Sequence, residues 1–424
     1  MQTTSPEPLV AALEPGGASA GPVEEISERE RQMILWLTNI SHAANHFQGQ
    51  MLAPLYTVIM ADLGFGFAEL GIFNAIRNIV NYWAQLGYGF LTPFFHRCRL
   101  LAFGNLILAV GTAMTGVAGS FVALVGIRCF AGLGSSAQHP IGASLLASYF
   151  PKSRGTVLAL NNTISAIGGL LAPVVAGALA AALCWRLVFW IVAPFSVLMG
   201  VAYFFFQDKM RENMSGKGKS EKIKGSISSY IRVFKNRNML LLGLTFMVGA
   251  SGRGGEDVQS YLGPHMVNDL GMGIAFVGLA LSLVQLGGLT GPLLMGWISD
   301  RTSRVGVIQV SLVASALATF WLAHQNAELL SLIPNLMLYG ALTHSRGTLT
   351  QALVADSVPD ADQDAAFSVY FFLGFFSVPI WSIAMGLMME HLEFSTAFSI
   401  TAFSYLAGCV LMFFVKDKKK AVAA

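Results

Sequence analysis

Asp62-Leu63-Gly64-Phe65-Gly66 returns 207 residues later as Asp269-Leu270-Gly271-Met272-Gly273, in the same chain direction. The same offset lays Gly71 on Gly278, Gly89 on Gly296 and Arg97 on Arg304, and an offset of 208 lays Gly132 on Gly340 and Pro151 on Pro359. A repeat of this kind fixes architecture before any local reading does, and here it makes the chain two parallel copies of one unit. Outward from the repeat the composition is 54% hydrophobic and 12% charged, against roughly 25% charged in soluble domains. A window of about 20 residues, the length that crosses a ~30 Å hydrocarbon core, finds twelve apolar segments, at 33–61, 67–92, 100–118, 121–149, 156–182, 187–206, 238–262, 273–297, 306–324, 328–355, 365–388 and 394–416.

The sequence therefore predicts an all-α polytopic membrane protein with twelve transmembrane helices in two pseudo-symmetric six-helix bundles, 33–206 and 238–416. A lysine-rich linker, 207–237, joins them. Residues 1–32 are expected to be a disordered cytoplasmic tail and 417–424 a second cytoplasmic tail. Parallel repeats place a substrate site between the halves near the midplane.

Of the 26 Lys and Arg residues, 21 fall in the tails or in every second gap between segments. That is the positive-inside pattern of a multi-pass cell-membrane protein with both termini in the cytoplasm. The net charge of +3 then belongs to loops facing an anionic leaflet and gives no sign of nucleic-acid binding. Arg186 follows Trp185 and reads as an interfacial anchor. Arg77, Arg128, Arg253 and Arg346 lie inside apolar segments, where a lone cation costs about 2.5–3.5 kcal/mol on the insertion scale. Cys98, Cys129, Cys184 and Cys409 have no metal-ligand or redox spacing, so neither a metal site nor a disulfide framework is expected. The acidic stretch Asp356–Asp364 reads as a solvated loop or as a partner for the basic linker.

Gly296-Trp297-Ile298-Ser299-Asp300-Arg301-Thr302-Ser303-Arg304 resembles the G-x-x-x-D-R-x-x-R loop of the major facilitator superfamily. The resemblance runs from residue 33 to 416 and implies the fold above, with Gly296, Asp300, Arg301 and Arg304 as a conformational latch between bundles. In the first half Pro93 stands where the acid belongs. Arg128-Cys129-Phe130-Ala131-Gly132 is similar to the family's R-x-x-x-G motif, which implies a part in proton coupling for Arg128. The stretch from Gly168 to Gly177 is similar to an exporter glycine-proline motif, with alanine at two of its glycines; packing between helices is the other reading. Ser41-His42-Ala43-Ala44-Asn45 and Gly132-Leu133-Gly134-Ser135-Ser136-Ala137-Gln138-His139-Pro140 resemble the fosmidomycin-resistance group of proton-driven exporters, with His46 in place of that group's acid.

Among the acids only Glu256 and Asp257 lie well inside a segment. Adjacent carboxylates repel when both are ionised, which raises the affinity of one for a proton. They are the first candidates for proton coupling, joined by His42 and His46; an internal ion-pair network with Arg253 is the structural alternative. The glycines around Arg253 are expected to weaken the seventh helix. Asn45, Arg77, Gln138, His139, Arg253, His344 and Arg346 are the expected substrate-binding set, because cations and imidazoles facing one space suit an anion. Asn74, Arg77, Asn78, Asn81 and Gln85 share one face of the second segment, and either line the cavity or form a seam against another helix.

These residues predict a secondary transporter, not an enzyme, with no cofactor. The expected activity is proton-coupled export of a small anionic or amphiphilic compound by a monomer; proton-coupled uptake of an organic anion and a non-transporting membrane sensor are the alternatives.

Overall fold

The computed structural model describes residues 26–92, 94–209, 227–249, 256–359 and 362–416. The expected terminal tails, most of the linker, and Arg253 lie largely or wholly outside them.

The first span starts as a helix at Glu28–Gln50, where Ser27 accepts a hydrogen bond from the Glu30 amide and Glu28 and Glu30 face the positive helix end. Pro54 sits in the short break that follows, and the span resumes at Tyr56–Leu63. The second, third, fifth and sixth spans are Phe67–Leu91, Arg97–Thr115, Arg154–Ala182 and Trp185–Phe204. The fourth is interrupted: Phe121–Ser135, then a π-helical turn over Gln138–Gly142, then Ala143–Tyr149. After a short amphipathic helix, Ile227–Lys235, the seventh span comes as two helices, Arg237–Val248 and Glu256–Asn268. The eighth to twelfth are Ile274–Arg301, Arg304–Ala323, Leu329–Ser357, Gln363–His391 and Phe394–Met412.

Eight helices among the described residues are long and apolar enough to cross a membrane. The first, second and tenth spans are long but carry polar side chains, and the seventh is divided. Three of these four supply polar side chains to the cavity described below.

The repeat has a direct structural meaning. Gly64 and Gly271 both adopt a left-handed backbone, φ 65° and 66°, and each ends a span of its own half. A β-carbon disfavours that conformation, so glycine is the residue for both turns. The aspartates of the two copies are anchored as well. Asp62 takes hydrogen bonds from Trp185 Nε1 at 3.2 Å and from Arg186 at 2.7 Å, while Asp269 holds the His265 ring at 2.6 Å. Arg186 is thus an anchor, stacked 4.2 Å from the Trp185 ring.

The glycines of the next aligned pair bring the bundles together. A β-carbon on Gly71 would come within 2.5 Å of the Ser382 carbonyl oxygen on the eleventh span, and one on Gly278 within 2.4 Å of the Pro173 carbonyl oxygen on the fifth. Beside the first contact, the Glu390 carboxylate accepts from the Phe67 amide at 2.8 Å and so caps the second span from the opposite bundle. Beside the second, Ser282 donates to the Leu170 carbonyl oxygen at 2.8 Å. The outer half of the seventh span packs against the break in the first.

All three contacts lie toward the end remote from the linker, where one apolar core runs through both bundles: Leu55, Tyr56 and Phe73 join Tyr261, Val277 and Leu281. At the linker end each bundle keeps a core of its own, around Leu101, Tyr149 and Tyr203 in one and Ile308, Leu353 and Tyr405 in the other. The molecule is closed at one end, and its apolar packing is divided at the other.

The acidic loop meets the linker. Asp362 receives Arg232 at 2.9 and 2.5 Å, and Asn236 donates to the Ser357 carbonyl oxygen at 2.9 Å, docking the amphipathic helix onto the second bundle. The Arg232 guanidinium holds the Asp362 carboxyl below its ordinary value, and Ser229 adds to the effect.

Candidate functional site

Between the bundles lies a cavity of about 1100 Å³, counting the part open to solvent. Among the described residues most of its wall comes from the first bundle. The first span contributes Asn45, His46, Gln50 and Tyr56; the second Arg77, Asn78, Asn81, Tyr82 and Gln85; the fourth Arg128, Ser135, Ser136 and His139. From the second bundle come Gln259 and Ser260 of the seventh span. The polar face predicted for the second helix is therefore cavity wall, although Asn74 is buried behind it and accepts from the Tyr56 hydroxyl at 3.3 Å.

The charge of the wall follows from this list. Among the described lining residues there are two arginines and two histidines and no carboxylate. Arg128 is 5% exposed, and its Nε and Nη1 have no hydrogen-bond partner among the described residues. A guanidinium that has lost its water and has no acid beside it among the described residues favours an anion there. Arg77 lies 6.0 Å from the Phe73 ring centre on its own helix.

The π turn orients the fourth span. Pro140 offers no amide hydrogen, and the widened turn places Gln138 and His139 on different sides. His139 lines the cavity, whereas Gln138 points into the first bundle, donating to the Thr38 carbonyl oxygen at 3.2 Å and accepting from Ser41 at 2.9 Å. His42 is likewise behind the wall, its Nδ1 2.7 Å from Asn161 Oδ1.

Two expected lining residues of the second bundle are placed elsewhere. Arg346 donates to the Gly249 carbonyl oxygen at 3.0 Å, stacks 4.4 Å from the Tyr405 ring and borders a separate, smaller recess with Thr245 and Tyr370. His344 bonds the Gly340 carbonyl oxygen of its own helix at 3.0 Å and rests against Gly288 of the eighth span. Both are held within their bundle by its packing. Gln138, His344 and Arg346 are thus not among the described lining residues of this cavity, and the contacts given for each lie inside its own bundle. Glu256 and Asp257 begin the second half of the seventh span, in the helix that brings Gln259 and Ser260 to the cavity. Gln259, Ser260 and Tyr56 went unnoticed in the sequence because single polar residues in an apolar run carry no periodicity.

Of the residues expected to form a latch, Arg301 and Arg304 make contacts within their own bundle. Arg304 contacts Asp300 at 3.1 Å and Asp356 at 2.5 Å; Arg301 stacks on Trp297 at 4.1 Å. A β-carbon on Gly296 would meet open space. The repeat mate of Arg304, Arg97, makes a bidentate pair with buried Asp208 at 2.5 and 2.8 Å.

The major facilitator superfamily model matches residues 38–263 and 250–424. The chain belongs to the major facilitator superfamily. Among the superfamily's characterised members it is 24% identical over 387 residues to the cis,cis-muconate transport protein of Acinetobacter baylyi, covering 90% of each chain. It is 24% identical over 298 residues to a probable sulfoacetate transporter of Cupriavidus necator, covering 67% of this chain and 68% of that one. A bacterial homologue of the human lysosomal transporter Spinster, solved inward-facing and unoccupied, has the same fold, with a TM-score of 0.74 at 15% identity over 92% of this chain and 96% of that one. This transporter is thus an integral membrane protein that moves a small molecule and is not an enzyme.

Proposed function

We propose that the protein is a proton-coupled transporter of a small organic anion, working in the uptake direction by rocking of the two bundles. The observation that carries this is the cavity wall with Arg77, Arg128 and two imidazoles and no described carboxylate. The relatives named for muconate and sulfoacetate transport, both small acids, agree with it. Coupling is assigned to Glu256 and Asp257, at the start of the helix that carries the second bundle's share of the wall.

Export is the second reading, and it rests on the glycine-proline stretch and the likeness to the fosmidomycin-resistance group. The stretch has another use here. A β-carbon on Gly168 would come within 2.1 Å of the Ala43 carbonyl oxygen, and Gly177 abuts Ile274 and Gly278, so its small residues serve close helix packing.

The test is a proteoliposome assay with labelled cis,cis-muconate and sulfoacetate under pH gradients of either sign. Accumulation driven by an acidic exterior supports uptake, and expulsion supports export. Glu256→Gln or Asp257→Asn should abolish gradient-driven accumulation while leaving exchange measurable. Wild-type accumulation in both variants would remove the coupling assignment.

A further inference from the structure

His42 and His46 stand one helical turn apart on the first span, and the π turn of the fourth brings His139 against them. Ring centres lie 4.9, 5.0 and 5.4 Å apart, each pair edge to face. One ring nitrogen from each histidine lies within 4.8 Å of the other two. Cysteine spacing had predicted no metal site; these histidines converge across two helices 93 positions apart (139 − 46), which spacing does not reveal.

The state of His42 is set by its neighbours. Asn161 Nδ2 donates to Asn39 Oδ1 at 2.8 Å, so its oxygen is turned toward the ring as an acceptor, and His42 Nδ1 carries the proton. Nε2 is then an unprotonated lone pair. It is buried without a hydrogen-bond partner among the described residues, on a residue 4% exposed. A ring held through one nitrogen by an amide oxygen, with the other nitrogen presenting its lone pair, is the arrangement of a metal-ligating histidine and its orienting neighbour.

We propose that His42, His46 and His139 bind one divalent ion of the zinc type through three neutral imidazoles. Imidazole selects zinc, copper, nickel or cobalt, and the absence of a carboxylate from the trio disfavours calcium and magnesium. Tetrahedral bonds of about 2.0–2.1 Å put the nitrogens roughly 3.3 Å apart, so the rings close inward by roughly 1 Å as the ion enters. His46 and His139 face the cavity while His42 lies behind them. The fourth vertex therefore opens to the cavity, where a water or a carboxylate completes the shell.

Purified transporter stripped with a chelator is titrated with Zn²⁺ by calorimetry and with Co²⁺ by visible absorption. One ion per chain is expected, with the intense absorption of tetrahedral cobalt. His42→Ala, His46→Ala and His139→Ala should each weaken zinc binding at least tenfold, and Asn161→Leu, which touches no metal, about tenfold. His46→Gln and His139→Gln repeat the test with shape kept, and unfolding midpoints in zinc-free buffer certify each variant as folded. Absence of saturable binding, or wild-type affinity in all the folded histidine variants, would overturn the site. Muconate binding without metal is followed separately, since the anion reading stands or falls independently of zinc.

Discussion

Arg128 has the sharpest consequences of any single residue, being a buried guanidinium on the wall of a cavity with two nitrogens that have no partner among the described residues. Arg128→Ala should weaken binding of the transported anion by tenfold or more, equivalent to about 1.4 kcal/mol for each tenfold, and Arg128→Lys should recover only part, because lysine offers a point charge in place of a fork. Isothermal binding of the substrate identified in proteoliposomes checks both; unchanged affinity would remove Arg128 from the site. Arg346→Ala, by contrast, should cost stability and leave affinity within about twofold, since its guanidinium serves Gly249 and Tyr405. Both arginines look alike in the sequence, as lone cations in apolar runs. What separates them is the direction of the side chain, which depends on helix rotation in the bundle and is invisible to a count of charges. Gln138 and His139 show the same limit over one peptide bond, because a π turn, not a regular helix, decides which of them reaches the cavity.

Elements meet through residues whose size is their function. Gly168→Val should overpack the contact of the fifth span with the Ala43 carbonyl, costing roughly 1–3 kcal/mol, whereas Gly87→Ala, inside the second helix with nothing within 4 Å of its β-carbon, should hold or raise stability, by up to about 1 kcal/mol. Thermal unfolding of the detergent-solubilised protein compares the two. The amphipathic helix Ile227–Lys235 supplies a second case. The Asp362 carboxyl is held below its ordinary value, so its contribution is fully present above the unfolded carboxylate value of about 3.9 and is lost as pH falls through the lower, folded value. Docking should therefore be constant from about pH 5 to 8, and Asp362→Asn should loosen it throughout that range. Hydrogen exchange of residues 227–235 measures it. Span positions were legible in the sequence to within a few residues, because runs of apolar residues and cationic gaps are set by the bilayer. The short breaks were legible only at prolines and glycines.

At the scale of the molecule, the aligned glycines divide the work between turning and touching: Gly64 and Gly271 turn the chain, and Gly71 and Gly278 let the bundles meet. The second role can be tested at Gly71, where a β-carbon would come within 2.5 Å of the Ser382 carbonyl oxygen and 2.9 Å of the Gly386 α-carbon. Gly71→Val should force the bundles apart at the closed end and lower the thermal unfolding midpoint of the detergent-solubilised protein; an unchanged midpoint would mean that this contact does not hold the bundles together. The repeat made the pseudo-symmetry legible at once. It did not reveal that the described part of the cavity wall would be so unequally shared, since pseudo-symmetric positions such as Gln138 and Arg346 diverge in what they touch.

That inequality bears on the energetics of the cycle. A ligand whose contacts belong almost entirely to one rigid body travels with it and meets nearly the same surroundings before and after the swing. Such a passenger has similar affinity in both orientations and barely tilts the balance between them. On the proposed anion reading, Gln259 and Ser260 are the described positions through which occupancy would be felt by the other half.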